Sequence, residues 1–467
     1  MKFEFKKIGL IDDAVIDLAD LTILCGENNT GKTYVTYTLY GFLRSWRQIL
    51  FVELEEKIDE ILRESTNSEI DLDSLFTGQI NKYLERIAKR YAKGLPRVFA
   101  SSPDLLSEAV VRVTVSNEIN LQSFTYHRSI KDSTGGKTLA TLRKAKDSSI
   151  LEILIADQSL KHRKFGLIDF VSDAIADIVF APYLPDVFIA SAERTGAAIF
   201  RKELDFARTR LIEALGQQDR KDLRNPFHLF ERMQAGYAMP VQDNVDFVRQ
   251  IEDIDKQVSP LVEAHPKILE KFEAVIGGSY KVVKGKGLYY QPRGVGKPRL
   301  SMSESSSSVR ALLDIGFYLR CRAESGNLLM IDEPELNLHP VNQRAFARLI
   351  AYLVNCGVRV FMTTHSDYII KELNTLIMLN AQTQHTKAIQ LKYKYGSEEK
   401  IDPAKVKLFM TCSVNEKRDG GKGRPIKLNS LREAKIHPDQ GIEVETFDTI
   451  IGIMNAIQTE ILFGGEL

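Results

Sequence analysis

The chain has 467 residues, of which 44% are hydrophobic and 27% are charged, so its composition is that of a globular protein with about two or three domains. It carries 63 basic and 62 acidic residues, and the net charge of +1 means that any contact with nucleic acid or acidic lipid must be a local patch. No window approaches roughly 18 uninterrupted apolar residues, which excludes a transporter that carries its own membrane spans.

The cysteines and the N-terminal segment indicate a cytoplasmic protein. The four cysteines are far apart and form no C-x-x-C spacing, so we expect reduced thiols and no zinc or disulfide framework. The first residues, MKFEFKKIGLIDD, lack the apolar core and cleavage site of a signal peptide. The cysteines are Cys25, Cys321, Cys356 and Cys412.

The chain begins with three predicted strands, at 3–5, 14–18 and Leu21–Cys25, because apolar residues alternate there between turn signals. Helical periodicity follows over 32–46. Between the third strand and this helix stands Gly-Glu-Asn-Asn-Thr-Gly-Lys-Thr at 26–33, with the spacing G-x-x-x-x-G-K-[ST] of a phosphate-binding loop (P-loop). A strand–loop–helix context is what that loop requires.

The chemistry of the loop follows from its residue types. Gly26 and Gly31 let the backbone curl until its N–H groups point at phosphate oxygens, and the helix adds the positive end of its dipole. Lys32 would reach the β- and γ-phosphates, and the Thr33 hydroxyl would hold Mg²⁺. The predicted ATP-binding residues are Gly26, Glu27, Asn28, Asn29, Thr30, Gly31, Lys32 and Thr33.

The middle of the chain is predicted to insert other elements. A charged helical pattern from 49 to 92 is followed by antiparallel strands, and then a helix and a strand return the chain to the main sheet. A helical arm and a Gly-punctuated β segment come next. The predicted ranges are 110–116, 122–126 and 151–156 for the strands, 167–178 for the helix, Val187–Ala190 for the returning strand, 197–276 for the arm and 278–300 for the β segment.

Two strand ends in the second half carry chemistry. The apolar run 327–331 ends in Asp332 and Glu333, where a doubly wound sheet presents ligands at its carboxyl edge. Asp332 would bind Mg²⁺, directly or through water, and Glu333 would orient or deprotonate the water that attacks the γ-phosphate. The next strand, 358–364, ends in His365, which we expect to hydrogen-bond the γ-phosphate or that water. A surface-loop histidine is the alternative.

A serine-rich stretch precedes a predicted helix at 308–322. A serine run can be a flexible linker. Here it stands directly at a helix start, where hydroxyls and free N–H groups together would grip an anion. We therefore favour an anion-binding role for 303–308.

The ordered set of P-loop, serine signature, LLMIDEP, ELNLHP and TTHS resembles the ATP-binding-cassette (ABC) ATPases of the RecF/SMC branch, in particular AAA_15/OLD-like ATPases without a fused nuclease. The resemblance covers 1–48 and about 185–380. It implies a head-to-tail dimer in which the signature of one subunit completes the ATP site of its partner. Ser305, Ser306 and Ser307 would then touch the γ-phosphate in trans, and residues 337–339 would cross the interface.

The sequence departs from this family in two places. The serine run is not the usual L-S-G-G-Q, so the serine that contacts phosphate stays open. The glutamine that usually senses the γ-phosphate has only weak candidates, Gln122 and Gln158.

The predicted fold class is α/β, an ABC-type P-loop ATPase head with a mixed sheet, an antiparallel β lobe and a short helical arm. No heptad pattern sustains a long coiled coil, and no tandem repeat occurs. The predicted divisions are 1–48 and 185–395 for the head, 49–184 for a helical and antiparallel β insert, 197–276 for the arm within the head, and 396–467 for a C-terminal α/β extension.

The opening segment, the stretch SAERTG and the tail are similar to ATPase subunits of two-gene bacterial antiphage systems such as PARIS (AriA) and Septu (PtuA). The resemblance implies a homodimer or larger even-numbered oligomer and a separate effector, a TOPRIM or HNH nuclease, released by a phage-encoded trigger. The residues after His365 lack the acidic cluster of a fused nuclease. Arg194 in SAERTG lies near the nucleotide or forms a structural ion pair; both interpretations stay open.

The sequence therefore favours an ATP-driven sensor and scaffold with slow Mg²⁺-dependent hydrolysis. The alternative is a RecF-like DNA-repair ATPase that clamps DNA through 281–299, a segment with interleaved tyrosines and no acid. A soluble transporter ATPase is disfavoured, because the inserts do not look like a membrane-coupling subdomain. The basic residues of the DNA candidate are Lys281, Lys284, Lys286, Arg293, Lys297 and Arg299.

Overall fold

The computed structural model describes residues 1–64, 67–116, 120–132, 136–156, 164–199, 236–285, 287–294, 299–381, 383–416, 426–443 and 453–460. The chain divides into two compact units. Unit 1 comprises Met1–Asp17, Thr33–Val187 and Gln234–Pro240, and unit 2 comprises Leu18–Lys32, Phe188–Met233 and Val241–Leu467. Among the helices of the described ranges, none is both long and apolar enough to cross a membrane.

The strands are short in most cases and fall into five sheets. Their bounds are β1 Lys2–Ile8, β2 Ile11–Asp17, β3 Leu21–Cys25, β4 Asn67–Asp71, β5 Val110–Thr114, β6 Tyr126–Lys131, β7 Thr138–Lys144, β8 Ile150–Ile155, β9 Val187–Ala190, β10 Gly278–Val283, β11 Gly287–Pro292, β12 Leu300–Ser301, β13 Leu328–Asp332, β14 Arg359–Thr364, β15 Val406–Glu416, β16 Ile426–Glu433, β17 Ile436–His437 and β18 Gly441–Ile442.

The α-helices lie between these strands along the chain, singly or in succession. Their bounds are α1 Lys32–Glu64, α2 Leu72–Phe76, α3 Ile80–Ala92, α4 Leu95–Phe99, α5 Lys164–Ile175, α6 Arg194–Ile199, α7 Met239–Ile254, α8 Pro260–Ala264, α9 Lys267–Ile276, α10 Ser307–Ala311, α11 Leu313–Cys321, α12 Pro340–Asn355, α13 Asp367–Met378, α14 Gln384–Tyr393 and α15 453–460. Five short 3-10 turns and one π turn, Ala176–Phe180, complete the described elements.

Unit 2 is built on a six-stranded mixed sheet with the order β16-β15-β3-β14-β13-β9. The pairs β13–β14, β14–β3 and β3–β15 are parallel, and β15–β16 is antiparallel. All five residues of β3 and of β13 are buried, as expected for central strands whose two faces are both covered. The sheet, with the helices around it, confirms the predicted α/β class.

The register of this sheet decides which loops meet. Asp332 is paired with Thr363, and Thr364 is paired with Cys25, the last residue before the P-loop. On the other side Cys25 is paired with Met410 of β15. Because these strands run parallel, the segments that follow β3, β13 and β14 emerge beside one another at one edge.

Unit 1 contains two antiparallel sheets, β2-β1-β5 and β4-β8-β7-β6. Helix α1 continues to Glu64 because Leu50, Leu54, Ile58 and Leu62 extend its buried stripe at intervals of four residues. The Tyr91 hydroxyl donates 2.7 Å to the carbonyl of Thr38, which fixes α3 against α1 inside this unit.

Two sequence-based predictions in this region are corrected. The predicted strand at 122–126 is wrong: Leu121–Ser123 is a 3-10 turn, and β6 begins only at Tyr126. The cause is the Asn120 carboxamide, which accepts the backbone N–H of Gln122 at 3.0 Å and so competes with a strand ladder. The helical pattern predicted over 49–92 is also interrupted, because Asn67–Asp71 forms the strand β4, which pairs with β8. The strand β7 was not predicted.

The described parts of the remaining predictions agree with the structure or stay untested. The segment 278–300 forms the antiparallel strands β10, β11 and β12, as predicted. The arm contains α7, α8 and α9, while its residues 200–235 lie outside the described ranges. Strands β15 and β16 come from the segment that we separated as a C-terminal extension, yet they extend the sheet of β3. The other predicted domain boundaries stay predictions.

Candidate nucleotide site

The P-loop adopts a conformation that its glycines make accessible. Gly26 has φ 145° and Gly31 has φ 100°, values that side chains strongly disfavour. A Cβ atom added to Gly26 would lie only 1.8 Å from Oγ1 of Thr411 on β15. The Thr30 hydroxyl donates to the Glu27 carbonyl at 2.7 Å and lies 2.7 Å from the Thr411 hydroxyl. The loop is therefore held both by its own turn and by β15.

Lys32 is the buried cation of the loop. Its side chain folds back, and Nζ donates to the carbonyl oxygens of Gly26 at 3.1 Å and Glu27 at 2.7 Å. Burial lowers the pKa of Lys32, while the carboxylates of Glu333 and Asp332 oppose that shift. The ammonium group therefore lies inside the loop, where a phosphate oxygen of a bound nucleotide would replace its carbonyl partners. Thr33, the next residue, is exposed in the first turn of α1.

Asp332 ends β13 as a buried carboxylate, 4% exposed. It accepts a short hydrogen bond from the hydroxyl of Thr363 on β14. Burial raises the pKa of Asp332 to about 6, and the nearby Glu333 adds to the rise, while the Thr363 hydrogen bond lowers it. A carboxylate whose charge is poorly compensated in this way is well suited to a divalent cation.

Glu333 follows in a strained conformation with φ 50°, in the left-handed region that non-glycine residues avoid at a cost of roughly 1–2 kcal/mol. Its backbone N–H donates 3.0 Å to Oγ1 of Thr363. The same threonine therefore orients both acidic residues. The strained backbone turns the Glu333 side chain away from the direction that a continued strand would give, and the carboxylate is half-buried.

His365 lies next to Glu333, with Nε2 at 3.6 Å from Oε1. Burial lowers the pKa of His365, the charge of Lys32 lowers it further, and Glu333 acts in the opposite direction. The imidazole is therefore neutral at pH 7 and can both donate and accept a hydrogen bond. The predicted pair of Glu333 and His365 is brought together at the sheet edge.

A third carboxylate, Glu335, was missed by the sequence analysis. It accepts the backbone N–H of His365 at 2.6 Å and the hydroxyl of Thr364 at 2.8 Å. Burial raises the pKa of Glu335, and these hydrogen bonds lower it. The sequence feature that could have identified Glu335 is its position two residues after Glu333. Glu335 fixes the loop that carries His365.

The loop after β13 is tied to the loop after β14 by one further side chain, Gln343 of α12. Its Nε2 donates to the Leu338 carbonyl at 2.8 Å, and its Oε1 accepts from the Ser366 hydroxyl at 2.5 Å. His339 caps the start of α12, with Nδ1 accepting the N–H of Val341 at 3.3 Å. The segment expected to cross a dimer interface is therefore connected to the residue after His365.

The predicted signature serines have different environments. Ser305 is 5% exposed, and its hydroxyl donates to the Ser301 carbonyl at 2.7 Å. Arg310 donates to the carbonyl of Met302 at 3.2 Å and forms a short hydrogen bond to that of Ser305. Ser305 therefore stabilises the turn itself.

The next two serines are more exposed than Ser305. Ser306 is exposed and caps α10, where its hydroxyl accepts the N–H of Val309 at 3.4 Å and lies 2.8 Å from the Ser308 hydroxyl. Ser307 is half-buried at the first turn. The predicted helix over 308–322 is interrupted at Leu312, which separates α10 from α11.

Arg194 lies beside the candidate nucleotide site and contacts it through backbone oxygens. The residue is 2% exposed, and its guanidinium hydrogen-bonds backbone carbonyls, among them those of Asp332 and Glu333. These hydrogen bonds hold the backbone at the end of β13, and the buried side chain is not accessible to a ligand. Gln122 donates to Asp73 at 3.4 Å, and Gln158 lies outside the described residues.

The basic segment proposed for DNA forms the three-stranded sheet β10-β11-β12. Tyr280 and Tyr290 are buried, and their hydroxyls donate to backbone carbonyls of the same unit. These tyrosines therefore belong to the core and are not stacking platforms. Two of the six basic residues, Lys286 and Lys297, lie outside the described residues.

The residues present fit Mg²⁺-ATP as a ligand. The positive φ of Gly26 and Gly31 keeps the loop open for backbone N–H groups to face an anion. The buried Lys32 supplies the phosphate charge with a partner, and the buried Asp332 supplies an oxygen ligand. A P-loop, an acidic strand end and a histidine at one edge of a mixed α/β sheet define a P-loop ATPase.

The chain matches a known protein family. The family model AAA_15, an AAA ATPase domain, matches residues 4–185 and 198–370. Because this match spans more than half of the chain, the chain belongs to that family, as the sequence predicted, and it is an ATPase. No curated protein is significantly similar to it.

Three solved structures that are similar to the chain are SMC heads. The SMC head domain from Thermotoga maritima has 10% identity and a TM-score of 0.31, covering 93% of this chain and 98% of that chain. An SmcHead bound to the C-winged helix domain of ScpA has 12% identity and a TM-score of 0.34, with coverages of 96% and 98%. An Smc head with an extended coiled coil, bound to the C-terminal domain of ScpA derived from Pyrococcus furiosus, has 12% identity, a TM-score of 0.30 and coverages of 98% and 98%.

Proposed function

We propose that the chain is a Mg²⁺-dependent ABC-type ATPase whose site is completed by a second copy of the chain. The observation that carries the proposal is the register of the main sheet, which pairs Asp332 with Thr363 and Thr364 with Cys25. This pairing sets the P-loop, Asp332 and the Glu333–His365 pair side by side. The exposed Ser306 and the half-buried Ser307 would contact the γ-phosphate bound by a partner subunit.

Within one subunit the roles follow from the contacts. Lys32 would exchange its two carbonyl partners for β- and γ-phosphate oxygens. Thr33 and Asp332 would hold Mg²⁺, which when bound neutralises charge that develops on the phosphates.

The remaining residues would act on the attacking water. Glu333 would orient it and accept its proton, since its carboxylate is half-buried beside the site. The neutral His365 would hydrogen-bond the γ-phosphate or the water. Thr363 and Glu335 would hold these two residues in place.

We further propose that ATP-dependent assembly makes the chain a cytoplasmic sensor and scaffold in a bacterial antiphage system. In this role it would control a separate effector, a TOPRIM or HNH nuclease, in response to a phage-encoded trigger. The support is the resemblance of the opening segment, SAERTG and the tail to ATPase subunits of such two-gene systems. A RecF-like ATPase that clamps DNA is not favoured, because Tyr280 and Tyr290 of the basic segment are core residues.

Mixing two inactive variants tests the shared site. Lys32→Ala removes the P-loop cation but leaves the serine segment intact. Ser306→Asp keeps an N-cap for α10 but places a negative charge where the partner's γ-phosphate would lie. When equal amounts are mixed, half of the symmetric dimers that form contain one subunit of each variant. Each of these dimers has one complete site and one inactive site. We therefore expect about a quarter of the wild-type ATPase rate to return. No recovery from two folded, inactive variants would contradict the shared site.

A further inference from the structure

One fully buried arginine joins three segments of the site. Arg194, the first residue of α6, donates from Nε to the carbonyl of Ala311 at 2.7 Å and from Nη1 to that of Ser191 at 2.8 Å. From the other side it donates to the carbonyls of Asp332 at 2.6 Å and Glu333 at 2.8 Å. All four acceptors are backbone oxygens.

The segments that Arg194 joins have separate parts in the proposed reaction. Ala311 is the last residue of α10, the short helix that Ser306 caps. Asp332 and Glu333 are the acidic strand end. One planar group thus links the serine segment that would serve a partner's nucleotide to the carboxylates that serve the subunit's own nucleotide. A guanidinium can do so because its donors are fixed in one plane and point in different directions.

The charge of Arg194 is compensated from within the same unit. Asp314 of α11 is 1% exposed, and its Oδ1 accepts its neighbour's backbone N–H at 2.8 Å. Burial raises the pKa of Asp314 to about 6, and Arg194 opposes that rise. Among the described residues, Asp314 Oδ2 has no hydrogen-bond partner. A buried ion with such partial compensation is an expensive way to stabilise a fold, which points to a purpose other than stability.

The strain at Glu333 shows where the link acts. Its φ of 50° is costly, and Arg194 holds the carbonyl oxygens of the two peptide groups that flank the Glu333 Cα. A displacement of α10 would move the Ala311 carbonyl and therefore the guanidinium. That movement would reach the Glu333 backbone without passing through any ligand.

We propose that Arg194 is a positioning residue that couples the serine segment to Glu333 by holding both in one arrangement, so that a single side chain supports the partner's site as well as the subunit's own water-orienting carboxylate. The proposal rests on the proposed function, because it requires two copies to share the sites. Arg194 touches neither the nucleotide nor the water in this role.

The first test separates binding from turnover. Arg194→Lys keeps the charge, but one ammonium cannot span acceptors on three segments. We expect kcat to fall at least 30-fold, with the ATP dissociation constant, measured by nucleotide titration, within about threefold of the wild type. Arg348→Lys is the matched control, since Arg348 binds the Glu399 carboxylate and the Lys394 carbonyl elsewhere in the same unit. It should leave kcat unchanged.

A second variant tests the proposal if Arg194→Lys does not fold. Arg194→Met combined with Asp314→Asn removes both buried charges together, so no unpaired ion is left behind. It loses the link as fully as Arg194→Lys does, and we expect the same loss of kcat at unchanged ATP affinity. If either folded variant retains wild-type kcat, or if its activity falls only in proportion to lost ATP affinity, the coupling role is wrong.

The coupling itself is tested by placing Arg194→Lys in one member of the mixed pair described above. Combined with Lys32→Ala in one chain, it lies in the subunit that contributes only its serine segment to the complete site. Combined with Ser306→Asp in one chain, it lies in the subunit that contributes the P-loop and Glu333 to that site. We expect both placements to lower the recovered ATPase rate. Loss from the second placement alone would overturn the coupling and leave a purely local support of Glu333. If the pair with intact Arg194 fails to recover activity, it is the proposed function that fails.

A readout that does not depend on turnover is the ATP-driven assembly of Glu333→Gln protein. Adding Arg194→Lys to it should raise the protein concentration for half-assembly at saturating ATP by tenfold or more, because the serine segment is no longer held. Unchanged assembly would contradict the link between Arg194 and that segment.

Discussion

Nε2 of His365 lies 3.6 Å from Oε1 of Glu333, although the two residues follow different strands. The separation is slightly longer than a hydrogen bond, and both side chains are half-buried at the sheet edge. The imidazole is neutral at pH 7, because burial and Lys32 lower its pKa. A carboxylate and a neutral imidazole at this distance can share one water molecule between them. In the proposed mechanism, this pair acts on the attacking water.

Lys32→Ala should abolish ATP binding, because the phosphates lose their main cationic partner. Charge-assisted contacts of this kind are worth about 1.5–3 kcal/mol each, so the dissociation constant should rise roughly 100-fold or more. Titration with a fluorescent ATP analogue measures this directly. Lys387→Ala, which removes an exposed ammonium on α14, is the control and should bind as the wild type does. Unchanged affinity in Lys32→Ala would refute the P-loop assignment.

Asp332→Asn should stabilise the nucleotide-free protein at alkaline pH. The folded-state pKa of Asp332 is raised from 3.8 to about 6, so the folded protein holds more protons between these values than the unfolded protein does. Stability from this group is therefore fully present below pH 3.8 and is lost as pH rises to about 6. The asparagine removes that loss, worth about 1–3 kcal/mol at about pH 8.

Urea unfolding at two pH values checks this effect. The gain in free energy of unfolding should be largest near pH 8 and shrink towards about pH 4, and ATPase activity should be lost at both. Asp439→Asn, at an exposed position, should show neither change. If Asp332→Asn is no more stable than the wild type near pH 8, then the ionised Asp332 carboxylate does not lower the free energy of unfolding.

Glu335→Ala should lower turnover more than ATP affinity. The backbone N–H of His365 and the hydroxyl of Thr364 would lose their acceptor, at a cost of about 1–3 kcal/mol, and the His365 loop would shift. We expect kcat to fall at least tenfold, with the ATP dissociation constant within about threefold. Glu335→Gln keeps one oxygen for the His365 N–H and should retain most of the activity. Equal losses in both variants would mean that the charge, not the hydrogen bond, matters.

Thr411→Val should loosen the P-loop from β15. The change keeps the shape of the side chain but removes the hydroxyl that lies 2.7 Å from that of Thr30. We expect ATP to bind about three- to tenfold more weakly, which corresponds to one neutral hydrogen bond of about 1 kcal/mol. Thr411→Ser restores the hydroxyl and should bind as the wild type does. If valine and serine behave alike, β15 does not hold the loop.

What the sequence could predict is local. A few consecutive residues specify the strand β3, the P-loop and the acidic end of β13. The apolar runs identify the buried parallel strands. What it could not predict is long-range. Thr411 reaches Thr30 across 381 positions, and Arg194 reaches Asp332 across 138. No periodicity or spacing encodes such hydrogen bonds, because the order of strands in a sheet is decided only when the whole sheet is assembled.

The most direct measurement of the central claim is the mass of Glu333→Gln protein with and without Mg²⁺-ATP. The glutamine keeps the size of the side chain but cannot accept the proton of the water, so ATP should bind without being turned over, and the shared sites should stay closed. Analytical ultracentrifugation should then show a doubling of the mass from its value without nucleotide, where the chain mass is 52.8 kDa. An unchanged mass at saturating ATP, or wild-type turnover by this variant, would contradict the account.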